Sequence, residues 1–167
     1  MRIFNTIPVW LLAFTAMACS TTQQASSTST ADMKSIISAR TFVFQAQTVL
    51  PMSGRTRQVS GDGYEVIISK DTVNSYLPYF GRAYSAPIDP SRGGYDFVST
   101  NFEYTETPRK DGGWEITIKP RDVRDIQQMF LSVSENGYGS LQVTSNNRQP
   151  ISYNGIVTAE SSRKRRK

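Results

Sequence analysis

The stretch Trp114-Glu115-Ile116-Thr117-Ile118-Lys119 alternates apolar and polar side chains without a break. Successive side chains of a β-strand point to opposite faces of a sheet, so this stretch predicts a strand with one buried face. Six further segments follow the same period of two, which is typical of an antiparallel sheet with one face in water. The residues expected to point inward in those segments are Phe42, Phe44, Ala46 and Thr48; Tyr64, Val66 and Ile68; Phe102 and Tyr104; Met129, Leu131 and Val133; Leu141 and Val143; and Ile151, Tyr153 and Val157.

Turn residues separate the strands of the C-terminal half. Lys110-Asp111-Gly112-Gly113 precedes the strand at Trp114, and Asn136-Gly137 is a strong type I′ hairpin signal. Asn146-Asn147 is expected to supply positive φ in the next turn, and Gly155 to mark a bend or bulge in the last strand. The C-terminal half is therefore predicted to be a four-stranded meander.

Two segments lack this alternation. Residues 32–40 predict a short amphipathic helix with Asp32 as its N-cap, because their apolar side chains follow helical spacing. Residues 71–77 are interpreted as a turn or short helix, followed by a long loop to Tyr95 of the kind that often carries function. The predicted fold class is mainly β: a single antiparallel meander sheet curling into an open barrel or sandwich, with a short N-terminal helix.

The first 18 residues have the three-part design of a secretory signal, with a basic start, an apolar run and small residues before a cleavage point. The apolar run over residues 7–18 is shorter than the roughly 20 residues that span a bilayer. Ala18-Cys19 resembles bacterial lipoprotein signals, in which the cysteine receives a diacylglycerol thioether and becomes the new N-terminus. Ala16 departs from that pattern, where Leu is usual, and leaves a secreted protein with a free thiol as the alternative.

A polar tether and a basic tail are expected to flank the domain. Residues 19–31 are rich in Ser, Thr and Gln and are interpreted as a flexible tether, residues 32–160 as a single β-rich domain, and residues 161–167 as a basic disordered tail. In a Gram-negative cell, Ser20 after the lipidated cysteine indicates a lipid anchor in the outer membrane, and we expect the periplasmic face. The tail is interpreted as a solvated end, with adhesion to anionic polymer or lipid as the alternative.

The composition excludes several kinds of chemistry. The chain contains no histidine and a single cysteine, which rules out Ser-His-Asp and Cys-His nucleophilic sites and His-ligated zinc. No phosphate-binding loop or dinucleotide-binding turn occurs, so no cofactor and no metal are expected. Without Arg2 and the five basic residues at 163–167, 13 basic residues stand against 14 acidic ones. The domain is therefore near neutral, and no binding to nucleic acid is expected.

Carboxylates are the remaining candidates for catalysis. Asp122 and Asp125 lie near a strand start, and Glu103 alternates on the same strand face as Thr105. A glycosidase needs two facing carboxylates in a cleft, and nothing in the spacing indicates such a pair. We therefore interpret these residues as solvated charges at strand edges.

An aromatic segment at residues 76–84 supplies the candidate ligand-binding residues, which are Tyr76, Tyr79, Phe80, Arg82 and Tyr84. Tyrosine offers a broad apolar face and a hydroxyl group, and arginine pairs with acidic groups, so the segment suits a sugar, a peptide or an acidic ligand. In the alternative interpretation, Tyr76, Phe80 and Tyr84, which are spaced by four, plug one end of the sheet.

Three longer motifs carry a family resemblance. They are Pro51-Met52-Ser53-Gly54-Arg55, Ser75-Tyr76-Leu77-Pro78-Tyr79-Phe80-Gly81-Arg82-Ala83-Tyr84 and Asn146-Asn147-Arg148-Gln149-Pro150-Ile151. Over residues 42–157 the chain resembles a family of Bacteroidetes lipoproteins catalogued as a domain of unknown function, number 4251. The resemblance implies an envelope lipoprotein, supplies no activity and no catalytic residue, and draws attention to residues 76–84.

We expect an exported envelope protein of uncharacterised role, lipid-anchored at Cys19. Its domain is expected to be a non-enzymatic module that binds a ligand or a protein partner through residues 76–84. A purely structural envelope adaptor and a carboxylate-based, carbohydrate-active hydrolase are the alternatives. The sequence leaves the identity of the ligand or partner and the oligomeric state open.

Overall fold

The computed structural model describes residues 30–84 and 93–160. The predicted signal peptide, Cys19, nearly all of the tether and the basic tail lie outside these ranges. Within them the chain forms one helix and ten strands. These are α1 (Thr30–Ala39), β1 (Phe42–Pro51), β2 (Arg57–Gln58), β3 (Glu65–Ile68), β4 (Val73–Leu77), β5 (Tyr95–Ser99), β6 (Phe102–Pro108), β7 (Trp114–Pro120), β8 (Ile126–Val133), β9 (Tyr138–Ser145) and β10 (Ile151–Ala159).

All the strands belong to one antiparallel sheet. Its order is β5-β4-β3-β1-β10-β9-β8-β7-β6, and β2 pairs with β1 beside that path. The sheet curls until it is nearly closed into a barrel. This confirms the predicted fold class, and the meander of the C-terminal half extends over β6 to β10, one strand more than predicted.

The core lies inside the curled sheet. Trp114 and Ile118 of β7 point inward and are buried, as the alternation of their segment predicts. Helix α1 covers one end of the sheet, where Met33 and Ile37 are fully buried, and Met33 lies close to Gly137 in the β8–β9 turn. The predicted N-terminal helix is thus confirmed, but it begins at Thr30, so Asp32 lies within its first turn and is not the N-cap. No helix within the described ranges is long and apolar enough to span a membrane.

A β-bulge shifts the inward face of β1. The pairing of β1 with β10 slips between Ala46 and Thr48, which leaves Gln47 unpaired opposite Gly155. Beyond the bulge Val49 is fully buried and Thr48 is not, so the prediction that Thr48 points inward is wrong. The bulge predicted at Gly155 of β10 therefore lies in the opposite strand, β1, because Gly155 and its neighbours keep a regular register with β9.

Residues 73–77 form strand β4 rather than the predicted turn or short helix. Val73 and Leu77 are buried, and the inward position between them is occupied by Ser75. The Ser75 hydroxyl donates to the carbonyl of Tyr95 at 3.0 Å, so the buried polar group is satisfied. A serine at an inward position concealed the apolar alternation of this strand.

The β8–β9 hairpin differs from the predicted type I′ turn. Gly137 has a positive φ of 81°, whereas Asn136 does not. The Gly137 N–H donates to the Ser134 carbonyl at 2.9 Å, and the Ser134 N–H donates to the Tyr138 carbonyl at 2.8 Å. Type I′ requires positive φ at both central residues, so this turn is not of that type. It is a longer hairpin loop with a left-handed glycine at its end. Asn146-Asn147 also lacks the positive φ that was predicted.

The corner between β5 and β6 brings the two edges of the sheet together. The Asp122 carboxylate holds this corner: it accepts from the Ser99 hydroxyl at 2.5 Å and from the backbone N–H groups of Thr100 and Asn101 at 2.8 and 3.1 Å. These hydrogen bonds, that from Ser99 first, lower the pKa of Asp122. Asp122 is therefore a cap of the corner rather than a free charge at a strand edge.

Candidate functional site

Three tyrosines close the end of the sheet that lies away from helix α1. Tyr95 of β5 and Tyr153 of β10 are buried, and Tyr79, shortly after β4, is half-buried. The rings of Tyr79 and Tyr95 meet edge to face, with centroids 5.4 Å apart and planes at 68°. The Tyr153 hydroxyl donates to the carbonyl of Pro78 at 2.7 Å, which fixes the chain where it leaves β4.

Arg148 brings a positive charge to this end. It lies between β9 and β10, and its side chain is only 13% exposed. Its Nε lies 3.4 Å from Oδ2 of Asp125, and its Nη1 donates to the carbonyls of Gly93 and Gly94 at 3.2 and 3.3 Å. The guanidinium is therefore shared between an acidic side chain and the backbone that leads into β5.

The tyrosine rings flank this guanidinium. The Arg148 Cζ lies 5.2 Å from the ring centroid of Tyr79 and 5.3 Å from that of Tyr95, within the range of cation–π attraction. Burial raises the pKa of Tyr79, Tyr95 and Tyr153, so all three phenols stay neutral at physiological pH. We call Tyr79, Tyr95, Asp125 and Arg148 the Arg148 cluster.

Asp125 is fixed by several donors besides Arg148. Its Oδ1 accepts from the Ser145 hydroxyl at 3.0 Å and from the Asn147 side-chain amide at 3.2 Å. Its backbone carbonyl accepts from the Asn146 N–H at 3.0 Å. Asp125 thus joins the start of β8 to the β9–β10 connection, and the interpretation of it as a solvated strand-edge charge is wrong.

The segment that follows β4 docks on the β9–β10 connection. The Tyr79 hydroxyl lies 2.7 Å from the carbonyl oxygen of Arg82 and 3.1 Å from that of Gln149. The Gln149 N–H donates to the Arg82 carbonyl at 3.0 Å, and the Tyr84 N–H donates to the Asn147 carbonyl at 2.8 Å. The backbone of the segment is therefore held at both Arg82 and Tyr84.

The side chains of these two residues point away from the protein. Arg82 is exposed, and Tyr84 is 70% exposed although its backbone is tied down. We call Arg82 and Tyr84 the rim. The rim places a cation and an aromatic ring in solvent, close in sequence and on a backbone that is already ordered.

The remaining candidate residues lie elsewhere or serve the core. Tyr76 is 48% exposed on β4 and stacks on Tyr64, with ring centroids 5.3 Å apart. Phe80 is half-buried against the core, and the Cζ of Arg57 lies 4.4 Å from its ring centroid. The interpretation of Tyr76 and Tyr84 as a plug is therefore wrong, and the three buried or half-buried tyrosines described above close this end instead.

The family profile described as "Domain of unknown function (DUF4251)" matches residues 24–157. The chain belongs to the DUF4251 family. A search among curated proteins finds no match. The crystal structure of a DUF4251 family protein from Bacteroides eggerthii DSM 20697 is similar, with a TM-score of 0.59 and 17% sequence identity over 80% of this chain and 89% of that chain. At this identity the structural likeness concerns the fold alone.

The sequence predicts only some of the residues at the end of this DUF4251 domain that carries the rim. The alternation identifies Tyr153 as inward-facing, but it does not single out Tyr95 or Arg148. Arg148 bonds to Gly93, which is 55 positions away along the chain, and no local pattern reports such a contact. The one available signal was the position of Arg148 inside the third family motif.

The carboxylates of this DUF4251 domain are engaged in separate places. Asp122 caps the β5–β6 corner, Asp125 belongs to the Arg148 cluster, and Glu103 forms an exposed ion pair with Arg121 at 3.4 Å. Among the residues that the structure describes, no group of three His, Cys, Asp or Glu side chains is placed to hold a metal ion. What the site does offer is a fixed, exposed contact surface.

Proposed function

We propose that this DUF4251 protein is a lipid-anchored module of the cell envelope that binds a partner through the rim. The observation that carries the proposal is the rim itself, because Arg82 and Tyr84 are exposed on a backbone held by hydrogen bonds to the β9–β10 connection. Exposed aromatic and arginine side chains are enriched where proteins bind one another. A preordered backbone also loses little conformational freedom on binding.

The chemistry of the rim favours a partner with a carboxylate beside an apolar surface. The Arg82 guanidinium can form two parallel hydrogen bonds to a carboxylate, and the Tyr84 ring offers an apolar face with a hydroxyl at its edge. The Arg82 side chain is exposed, while Arg148 is already paired with Asp125. Of these two arginines, Arg82 is therefore the one that is open to a partner.

The anchor is the second part of the proposal. Cys19 follows Ala18 in a lipoprotein-like signal, and a polar tether separates it from the domain. Buried acyl chains contribute roughly 0.8 kcal/mol per CH₂, so a diacylated cysteine would hold the protein stably on a membrane. We place the anchor in the outer membrane, with the domain on the periplasmic side.

Mass spectrometry of the mature N-terminus tests the anchor. We expect a chain that begins at Cys19 and carries acyl chains, and we expect Cys19→Ser to release the protein from the membrane fraction. A mature chain with an unmodified Cys19 would contradict the anchor and leave the proposal for the rim standing.

Crosslinking and isolation from envelopes tests the rim. We expect wild type to yield discrete crosslinked complexes that are lost in the double variant Arg82→Ala, Tyr84→Ala. Both side chains are exposed, so their removal should leave the fold intact. Met52→Ala is the matched control, since Met52 is an exposed apolar side chain in another loop. Identical complexes in wild type and double variant would refute the role of the rim.

A further inference from the structure

The outer face of the sheet carries a groove that is separate from the rim. It has a volume of about 380 Å³ and crosses β1, β10, β9 and the end of β8. Its floor includes Gly139 and Gly155, which are directly paired across β9 and β10. We call it the outer groove. Its volume lies within the range of roughly 300–1,000 Å³ that is usual for small-molecule sites.

The two glycines explain why the sheet is indented here. A Cβ at Gly139 would lie 3.1 Å from the ring of Phe44 inside the barrel, and a Cβ at Gly155 would overlap the carbonyl oxygen of Gln45. The missing side chains let both strands sink towards the interior. The outer surface is correspondingly concave at the same point, so the groove is built into the backbone.

Small polar side chains line the groove in a row across three strands. Ser132 pairs with Ser140, and Ser140 pairs with Asn154, so the three side chains share the outer face. Gln47, the bulged residue of β1, adds a second side-chain amide. Adjacent strands are about 4.8 Å apart, a spacing comparable to the width of a pyranose ring. Each of these groups can both donate and accept a hydrogen bond.

Tyr138 and Arg109 complete the lining. Tyr138 is 66% exposed, so the ring is available as an apolar face. The Arg109 guanidinium donates to the Ser132 hydroxyl at 2.7 Å and pairs with Asp111. Among the described residues that line the groove, the one charged side chain is thus already paired, and these residues present no free charge to a ligand.

We propose that the outer groove binds a neutral saccharide, a mono- or disaccharide unit of an envelope glycan. A sugar ring has apolar C–H faces and a rim of hydroxyl groups that donate and accept. The ring of Tyr138 can pack against the C–H face of the sugar. The hydroxyl and amide groups of Ser140, Asn154 and Gln47 can hydrogen-bond to its hydroxyl groups. An anionic ligand would find no unpaired cation among the lining residues that the structure describes, and an apolar ligand would leave the polar row unsatisfied.

Saturation-transfer NMR on the full mature protein tests this, in a detergent without a sugar headgroup. The probes are cellobiose, maltose and N,N′-diacetylchitobiose at millimolar concentration, with digalacturonate as an anionic comparison and trialanine as a peptide comparison. We expect transfer to at least one neutral disaccharide. Tyr138→Ala and Asn154→Ala should each weaken its binding about tenfold, and Tyr138→Phe should keep most of it.

Tyr76→Ala is the matched control, because it removes an exposed tyrosine ring outside the groove. It should leave saccharide binding unchanged, and so should the rim variant Arg82→Ala, Tyr84→Ala, which separates this site from the rim. Thermal melts of each variant show that the fold is retained. Absence of transfer to every neutral probe, binding that survives Tyr138→Ala with Asn154→Ala, or a response only to digalacturonate or trialanine would overturn the proposal.

Discussion

Arg148 lies between two tyrosine rings, and its charge is matched by the carboxylate of Asp125 and by two backbone carbonyls. The same guanidinium therefore ties the start of β8, the start of β5 and the β9–β10 connection to one another. Only a planar group with several donors can serve all these partners at once. Its removal leaves a partly buried carboxylate without a cation.

Replacing Arg148 by Met tests this role. We expect Arg148→Met to lower the free energy of unfolding by about 2 kcal/mol, because the carboxylate of Asp125 loses its ion pair and the carbonyls lose a donor. The free energy of unfolding of Arg148→Lys should lie between those of Arg148→Met and wild type, since lysine keeps the charge and loses the planar fork. Urea unfolding followed by circular dichroism measures both.

Arg121→Met is the control for this series. Arg121 pairs with Glu103 at 3.4 Å on the exposed surface, so its loss should change stability by less than about 0.5 kcal/mol. Equal effects at Arg121 and Arg148 would mean that the cluster contributes nothing beyond an ordinary surface ion pair.

Asp122 gives a prediction for pH. Its pKa in the folded protein is lowered from the ordinary value of 3.8, so its carboxylate stabilises the fold at pH values above that and the contribution is lost as the pH falls. We expect Asp122→Asn to lower the unfolding midpoint at neutral pH and to weaken its dependence on acid. Thermal melts between neutral pH and pH 3 would show this.

Asp96→Asn is the matched control for the corner, because Asp96 is an exposed residue of the neighbouring edge strand. The free energy of unfolding of Asp96→Asn at neutral pH should stay within about 0.5 kcal/mol of wild type. If Asp122→Asn follows the wild-type curve at every pH, the hydrogen bonds at the β5–β6 corner do not stabilise the fold.

At the scale of the elements, strands whose inward positions are all apolar were predictable from sequence. β7 is the clearest case, with Trp114 and Ile118 buried as expected. β4 was missed because Ser75 occupies an inward position and is satisfied by the Tyr95 carbonyl, a partner 20 residues away. An alternation of apolar and polar residues predicts which apolar side chains are buried. It does not predict a buried hydroxyl whose hydrogen-bond partner is distant in sequence.

The sequence likewise predicts only part of the candidate site. The aromatic content of residues 76–84 identifies the segment as a candidate site. It does not distinguish Tyr79, which belongs to the Arg148 cluster, from Tyr84, which is exposed. That division depends on the docking of the segment against the β9–β10 connection. The bulge at Gln47 likewise decides which residues of β1 point inward, and it arises from a pairing between distant strands.

The pairing of β1 with β10 depends on Gly155. A side chain there would overlap the Gln45 carbonyl of the neighbouring strand, and backbone cannot move aside cheaply. We expect Gly155→Ala to lower the free energy of unfolding by about 3 kcal/mol, as overpacking against a fixed neighbour does. Guanidinium unfolding curves of the variant measure the loss.

Gly93→Ala is the matched control, because a Cβ at Gly93 would meet no atom within 4 Å. It should be neutral or raise stability by a few tenths of a kcal/mol, since alanine restricts the unfolded chain. A Gly155→Ala variant as stable as Gly93→Ala would show that the bulge tolerates a side chain and would contradict the explanation of the indented sheet.

At the scale of the whole molecule, the two ends of the curled sheet have different roles. Helix α1, which begins at Thr30, covers one end. The Arg148 cluster closes the other end and supports the rim there. An anchor at Cys19 would therefore leave the rim at the end of the domain remote from the membrane attachment, where a partner can reach it.

Photocrosslinking in cells tests the proposed function most directly. A photoreactive phenylalanine derivative is placed at position 84 of the full chain, and at position 52 as the control, since Met52 and Tyr84 are about equally exposed. We expect illumination to give a discrete adduct from position 84, absent from position 52 and lost when Arg82→Ala is added. No adduct from position 84, or the same adducts from both positions, would contradict a binding role for the rim.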